Sequence, residues 1–511
     1  MRVLIVEDEP LVRQRLLRLC AELAGTRARF DAVEDLEAAR DRLQRNVYDG
    51  LLLDLNLAGE DGFELLRRAV SGRYHCVVVS AHRERALQAF EHGVLDFVPP
   101  IPRSFPAGRF TSREELLSGP AAVASPGNLA GWCALHEAYG RLPLHLVLQP
   151  AIRLARLKMQ VPPSLAAAVQ KHRGRLERNG AAEWVLLSAS AGDLVVQEEL
   201  AMTLDRIGKE GDHAFYSGVC AEAIVRAVRA HGGALAMEDL QAHRTVVDDP
   251  VAVEFRGMRL MVQPPISQGL LLAMSAKALS ALGDIPRNRI DHAGIELTEA
   301  SFAFRDRIAE GERLLSEPLT LDLDRASNRG GPRAYLHTAG VSVADRHGCC
   351  ISSLVSVFDD FGSGVFVPEC GFTLNNRAGG FTAAPNDAAP GKRPVHTLAP
   401  AILETPRGPL ALSTPGADGQ VQTLLQVISG LAIEKVDLAK AIDRPRWRSE
   451  NGKLLVEKSH PHKAELAGLG HDVVEMPDGD MRAGAVTAAG IVDGAPIACA
   501  DWRRTTWAGI V

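Results

Sequence analysis

Three carboxylates stand where short apolar runs end. Glu7 and Asp8 follow Val3–Val6, and Asp54 follows Leu51–Leu53. Grouped at one edge they repel one another, and a divalent cation that prefers oxygen ligands, Mg²⁺, would relieve that repulsion. Ser80 closes the run Val77–Val79 and adds a hydroxyl able to donate to a phosphoryl oxygen. A second chemistry is open at Thr338. A hydroxyl alone is a weak nucleophile, but a threonine that begins a chain has its own α-amine as base. Thr338 follows a Gly/Pro/Arg-rich stretch, Asn328–Arg333, and precedes the apolar Val341–Val343 run, as a self-cleavage site would. A threonine at a strand edge serves structure equally well, so position alone leaves both readings open.

To meet at one edge, the three carboxylates need parallel strands joined by helices. The short, partly β-branched runs alternate with helical spacing at Leu11, Leu16, Leu19 and Leu23. That pattern predicts a doubly wound α/β unit, whose ligands bind beyond the carboxyl ends of the strands. From Ser118 the texture changes to Ala/Leu-rich helical stretches, then to strand-like segments from Val341 onward. The chain of 511 residues, 46% hydrophobic and 23% charged, fits one large globular fold plus a smaller one and excludes disorder, collagen and coiled coil. A net charge of −6 without a long basic run argues against a nucleic-acid partner. The opening MRVLIVEDEP is too short in apolar residues for a secretory or membrane segment, so a cytoplasmic protein without membrane association is expected. The eight cysteines include no C-x-x-C spacing and read as thiols. The ten lysines all lie at or beyond Lys158.

The segments VEDE, LLLDLNLAGEDGFELL, VVVSAH and AFEHGVLDFVP resemble the receiver domain of two-component response regulators, most of all the LytTR-type branch, over residues 1–99. The resemblance implies Asp54 as phospho-acceptor, fed by a sensor histidine kinase. It implies Glu7 and Asp8 as the acidic pair, with Asp8, Asp54 and the Asn56 backbone carbonyl around Mg²⁺, and Ser80 as the switch hydroxyl. The family follows its fifth strand with a lysine and a further helix. Here DFVPPIPRSFP stands in that place, without the lysine.

From PGNLAGWCALHEAYGRLPL through FRGMRLMVQPPISQG, VSVADRHG, FGSGVFVPECGFTLNN and PGKRPVHTLAPAIL to STPGADGQ, the chain resembles the γ-glutamyltranspeptidase family over about 400 residues. The resemblance implies cleavage between His337 and Thr338 by an N-to-O acyl shift, with Thr338 then attacking an amide. Ser356 falls on the second hydroxyl that hydrogen-bonds the nucleophile. Gly416 and Ala417 fall on the glycines whose N–H groups form the oxyanion hole. Members that process glutathione carry Asn where this chain has Phe358, acidic residues where it has Arg377-Ala378-Gly379-Gly380, and a serine pair where it has His396-Thr397. Arg377, His396 and Thr397 are therefore the candidate substrate contacts, and a small amide with a neutral or anionic acyl group is expected. These variants look like the branch that includes oxamate amidohydrolase. The hydrolase needs no cofactor.

The expected architecture is α/β: a truncated doubly wound receiver over 1–100, a Pro-rich junction over 101–117, and a four-layer αββα N-terminal-nucleophile hydrolase lacking its N-terminal segment. The last divides into a large-subunit portion, 118–337, and a small-subunit portion, 338–511. Both modules look incomplete at the same joint, so a hybrid reading frame with a phosphate-accepting receiver and an inactive hydrolase-like body is the alternative to an active fusion. Unpaired strand edges left by the loss favour a homodimer.

Overall fold

The computed structural model describes residues 2–24, 28–46, 48–54, 56–57, 60–61, 65, 75–78, 94–96, 98, 100–106, 115–332 and 338–510. The chain divides into two compact units, Met1–Val94 and Leu95–Val511.

In the first unit the three predicted strands and a fourth, Arg29–Val33, form one parallel sheet in the order Arg29–Val33, Arg2–Val6, Gly50–Leu53, His75–Val78. Leu4, Val6, Leu51 and Leu53 are buried in it, as continuous apolar runs between helical layers require. The helix Leu36–Arg45 starts at Asp35, whose carboxylate accepts the Ala38 N–H at 2.7 Å. The helix Pro10–Ala24 forms as predicted, but its inward stripe differs. Leu11 is 82% exposed and Leu19 41%, while Val12, Leu16 and Cys20 face inward. At 100° per residue Leu11 lies about 140° round the axis from Leu16, so the two cannot share a face.

The second unit is built on a six-stranded antiparallel sheet. Its order is Val251–Phe255, Met258–Val262, Ala401–Thr405, Gly408–Ser413, Thr487–Val492, Ala495–Ala500. Period-two alternation sorts its faces. Leu403, Leu410 and Leu412 pack with the helices Gly269–Ala281, Ile290–Phe302 and Gly419–Ala432 in the main core. All three are almost wholly buried: the first is apolar around most of its circumference, while the other two also bury polar side chains such as Asp291, Glu296, Gln422 and Gln426. The small residues Ala411, Ser413 and Thr487 fall on the opposite face, against which the hairpin Ala339–Ala344 with Cys350–Val355 lies. Ser342 Oγ is 3.2 Å from Ser413 Oγ and donates to the Thr487 carbonyl at 2.9 Å, and Ser352 Oγ donates to the Leu412 carbonyl at 2.6 Å. A Cβ on Gly340 would come within 2.8 Å of Ser413 Oγ, so this close approach requires glycine there. The hairpin's outward side chains, Val341 and Val343, are half exposed.

The described residues among 95–106, read from sequence as the receiver's last strand and the start of a junction, belong to the packing of the second unit. Val98 is buried with Leu354 and Leu398, and Ile101 and Phe105 with Ala378 and Phe381. The Ile101 N–H reaches the Lys392 carbonyl at 3.0 Å.

Candidate active site

Strand register decides where Thr338 stands. Ala339 pairs with Val355 and Gly340 with Leu354. Continued by one residue, this register sets Thr338 across from Ser356. Alternation then puts Thr338 on the same face as Gly340 and Ser342, the face turned toward Ser413 and the turn that follows it. His337, the residue before the expected cleavage, lies outside the described residues, as does Ser80.

Ser356 begins a tightly held corner. Its Oγ accepts the Phe358 N–H at 2.9 Å, and its carbonyl accepts Arg377 Nη2 at 2.7 Å. Arg377 is only 4% exposed, so it is not a surface residue, and its guanidinium lies 5.8 Å from the Phe358 ring centroid. Phe358 has φ +86°, a left-handed backbone that the family's Asn adopts more readily than an aromatic residue. The two asparagines before Arg377 brace this corner. Asn375 Oδ1 accepts the N–H groups of Ala124 and Arg377, and Asn376 Oδ1 accepts that of Asp359.

The turn after Gly408–Ser413 carries the two candidate oxyanion donors. Gly416 has φ +131° and Ala417 φ +49°. Ala417 thus occupies a left-handed conformation at a cost that glycine would avoid. Neither amide has an acceptor among the described residues, while the carbonyls of both are used: Gly416 O takes the Gly419 N–H at 2.8 Å and Ala417 O takes the Gln420 N–H at 3.0 Å. Gln268 ties this turn to the other candidate segment. Its Nε2 donates to Thr397 O at 2.6 Å and to Ala417 O at 2.7 Å, and the whole side chain is buried.

Thr338 and Ser356, the buried Arg377 and the turn at Gly416 and Ala417 are thus the candidate residues of an acyl-transfer site. Residues 93–510 match the Gamma-glutamyltranspeptidase family and residues 3–100 the response regulator receiver domain. The chain belongs to the γ-glutamyltranspeptidase family. Its similarity to the Acylase ACY 1 proenzyme of Pseudomonas sp. (strain SE83) is 31% identity over 77% of this chain and 76% of that protein. The Oxamate amidohydrolase proenzyme of Klebsiella pneumoniae is 30% identical over 70% of this chain and 75% of that protein. The crystal structure of cephalosporin acylase from Bacillus halodurans superposes with a TM-score of 0.68 at 24% identity, covering 81% of this chain and 84% of that one. The second unit thus has the N-terminal-nucleophile hydrolase fold of its family.

Two substrate contacts expected from the family's positions, His396 and Thr397, are buried in the frame of the site. His396 is 1% exposed, with Nε2 3.6 Å from Asp96 Oδ1. Burial lowers the pKa of His396 against the pull of Asp96. Burial also works against the Asp96 carboxylate, yet His396, Arg393 and the Val98 N–H together bring it down to about 2. Arg393 pairs directly with Asp96 and donates to the Val98 carbonyl at 2.8 Å. Asp96 and Gln268 were both missed from sequence. Asp96 read as a receiver residue, and Gln268 only as part of the family segment FRGMRLMVQPPISQG.

The receiver residues belong to the first unit. Oxygens of Glu7, Asp8 and Asp54 lie within 4.8 Å of one another. Burial raises the Glu7 pKa, reinforced by the charges of Asp54 and Asp8 and opposed by the Glu9 N–H. This oxygen-only set fits Mg²⁺, and the backbone of Asn56 follows in a short pair with Asp61. Two further clusters, Asp291 with His460 and His462 and His292 with Glu296 and His471, belong to the hydrolase core. The Asp291 carboxylate is held by His462 Nδ1 at 2.9 Å and Trp447 Nε1 at 3.2 Å. His292 is held by the Asp322 carbonyl and His471, each at 2.8 Å. Both clusters spend most of their ligand atoms on protein partners. Among the described residues no helix is long and apolar enough to cross a membrane.

Proposed function

We propose that this chain is a self-processing amide hydrolase or acyltransferase with an N-terminal threonine, carried behind a phosphate-accepting receiver domain. The observation that supports it most is the hairpin register, which continued by one residue brings Thr338 opposite Ser356, on the face that Ser342 turns toward Ser413. In maturation the Thr338 hydroxyl attacks the His337 carbonyl, the shift of the acyl group from nitrogen to oxygen frees the α-amine, and water hydrolyses the ester, restoring the hydroxyl and parting the chains. In turnover that amine takes the hydroxyl proton as Thr338 attacks the substrate carbonyl, and the Gly416 and Ala417 N–H groups receive the developing oxyanion. The proton then leaves with the amine product, and water or another acceptor releases the acyl group.

Amide hydrolysis is favoured over glutathione turnover. Arg377, not a carboxylate, stands where an α-ammonium would need an acid, and the relatives include an acylase and an oxamate amidohydrolase beside glutathione hydrolases. We therefore place the hydrolase near the oxamate amidohydrolase-like branch. In the receiver, Glu7, Asp8 and Asp54 would hold Mg²⁺, which would offset phosphoryl charge as a histidine kinase loads Asp54. Without the lysine, loading is not expected to drive the usual switch. The test is amine release from N-acetyl-p-nitroanilide by purified full chain. Activity lost in Thr338→Ala supports the proposal, and activity equal in wild type and Thr338→Ala contradicts it.

A further inference from the structure

A cavity of about 320 Å³ opens at Ser356, next to the end of the hairpin that carries the candidate nucleophile. Leu129, Trp132, Leu148, Leu204, Ile207 and Phe372 are among its apolar lining, and Ser356 and Arg377 line it as well. Its polar residues are largely turned to the protein's own backbone. Thr203 Oγ1 donates to the Cys370 carbonyl at 3.2 Å, and the Asn375 side chain is bonded twice to Ala124. Arg377 is turned to the Ser356 carbonyl. Among the described residues no Asp, Glu or Lys lines the cavity. A space of this size, with an apolar wall and one charged group near the reacting end, is a small-ligand pocket by its dimensions and chemistry.

We propose that this cavity is the acyl pocket and that the substrates are amides of apolar acyl groups of medium length. The inference rests on Thr338 acting as proposed above. A zwitterionic γ-glutamyl group would bury its ammonium and carboxylate among leucines, with the Arg377 cation repelling the ammonium. An alkyl or aryl chain loses no hydrogen bond there and gains the burial of its own surface. The reaction balances without a co-reactant other than water. The amide C–N bond breaks as the Thr338 Oγ–C bond forms, the amine leaves with the proton taken from Thr338, and water releases the fatty or arylalkyl acid.

Two arms test the proposal. In the first, processed full chain is given acetyl-, hexanoyl-, octanoyl- and γ-glutamyl-p-nitroanilide. kcat/KM is expected to rise by roughly fourfold per buried methylene and to favour octanoyl over γ-glutamyl by at least tenfold. Leu204→Trp, which fills the cavity, is expected to remove that rise. A flat series, or preference for γ-glutamyl, overturns the proposal. In the second arm, octanamide and acetamide are titrated calorimetrically into full-length Thr338→Ala. Tighter binding of octanamide by about 30-fold or more supports the pocket, and equal binding overturns it. A chain that neither processes nor hydrolyses the acetyl compound refutes the threonine nucleophile, and the titration still decides the pocket.

Discussion

Replacing Gln268 by Met keeps the length of the side chain and removes its two donated hydrogen bonds. Gln268 Nε2 lies 2.6 Å from Thr397 O and 2.7 Å from Ala417 O, both inside the frame of the site. Losing the amide strands the buried Thr397 carbonyl, whereas the Ala417 carbonyl keeps the Gln420 N–H. At about 2 kcal/mol for the stranded group, offset by roughly 1 kcal/mol because Gln268 Oε1 itself lacks a partner, the net cost comes to about 1 kcal/mol. Urea unfolding followed at Trp447, which is 2% exposed, reports the cost in the hydrolase unit. The tether also sets the direction of the Ala417 peptide, so self-processing should slow in parallel. Gln268→Glu provides an internal control. Its carboxylate would face two carbonyl oxygens at neutral pH, whereas the protonated form regains one donor, so this variant should gain stability as the pH is lowered from 8 to 5. A Gln268→Met protein within about 0.5 kcal/mol of wild type, with unchanged processing, would refute the assignment of Gln268 as the tie between these segments.

Asp96 has its pKa depressed from 3.8 to about 2, so its carboxylate stabilises the fold above about pH 4, and this contribution is lost as pH falls through 2. The shift corresponds to about 2 kcal/mol, and Asp96→Asn should flatten that part of the pH–stability curve; an unchanged slope would count against the buried ion pair. Ala417→Gly should stabilise by about 0.5 kcal/mol, the left-handed penalty less the extra backbone entropy of glycine, without loss of hydrolysis; a clear fall in melting temperature would mean that the φ of +49° is not strained. Acetyl phosphate with Mg²⁺ should label the wild-type receiver and not Asp54→Asn, and equal labelling of both would exclude Asp54 as acceptor.

Much of the site was legible because its signals are local. The strand that follows Thr338 reads as an alternating run after a Gly-rich stretch, and the hairpin register continued by one residue brings the candidates Thr338 and Ser356 opposite each other. The parallel sheet of the first unit follows from three apolar runs, two of which end in acid. Long-range partners were not legible. Asp96 sits in a stretch that fits both a receiver strand and the opening of the hydrolase, and only folding brings Arg393 and His396 to it. Gln268 carries no mark in the sequence that distinguishes a buried tether from a helix-start residue. The apolar cavity was equally hidden, because its wall draws on segments from Val98 to Arg377. The helix Pro10–Ala24 shows the converse error. Four leucines suggested its buried face, but spacing of five between the first two turns Leu11 outward.

The central claim is that Thr338 becomes a chain terminus. N-terminal sequencing of purified protein, resolved by denaturing gel, tests it most directly. The account predicts two fragments, 1–337 and 338–511, the smaller beginning Thr-Ala-Gly-Val, and a single uncut chain for Thr338→Ala. A wild-type chain that remains whole, or a cut that persists at the same bond in Thr338→Ala, would contradict it.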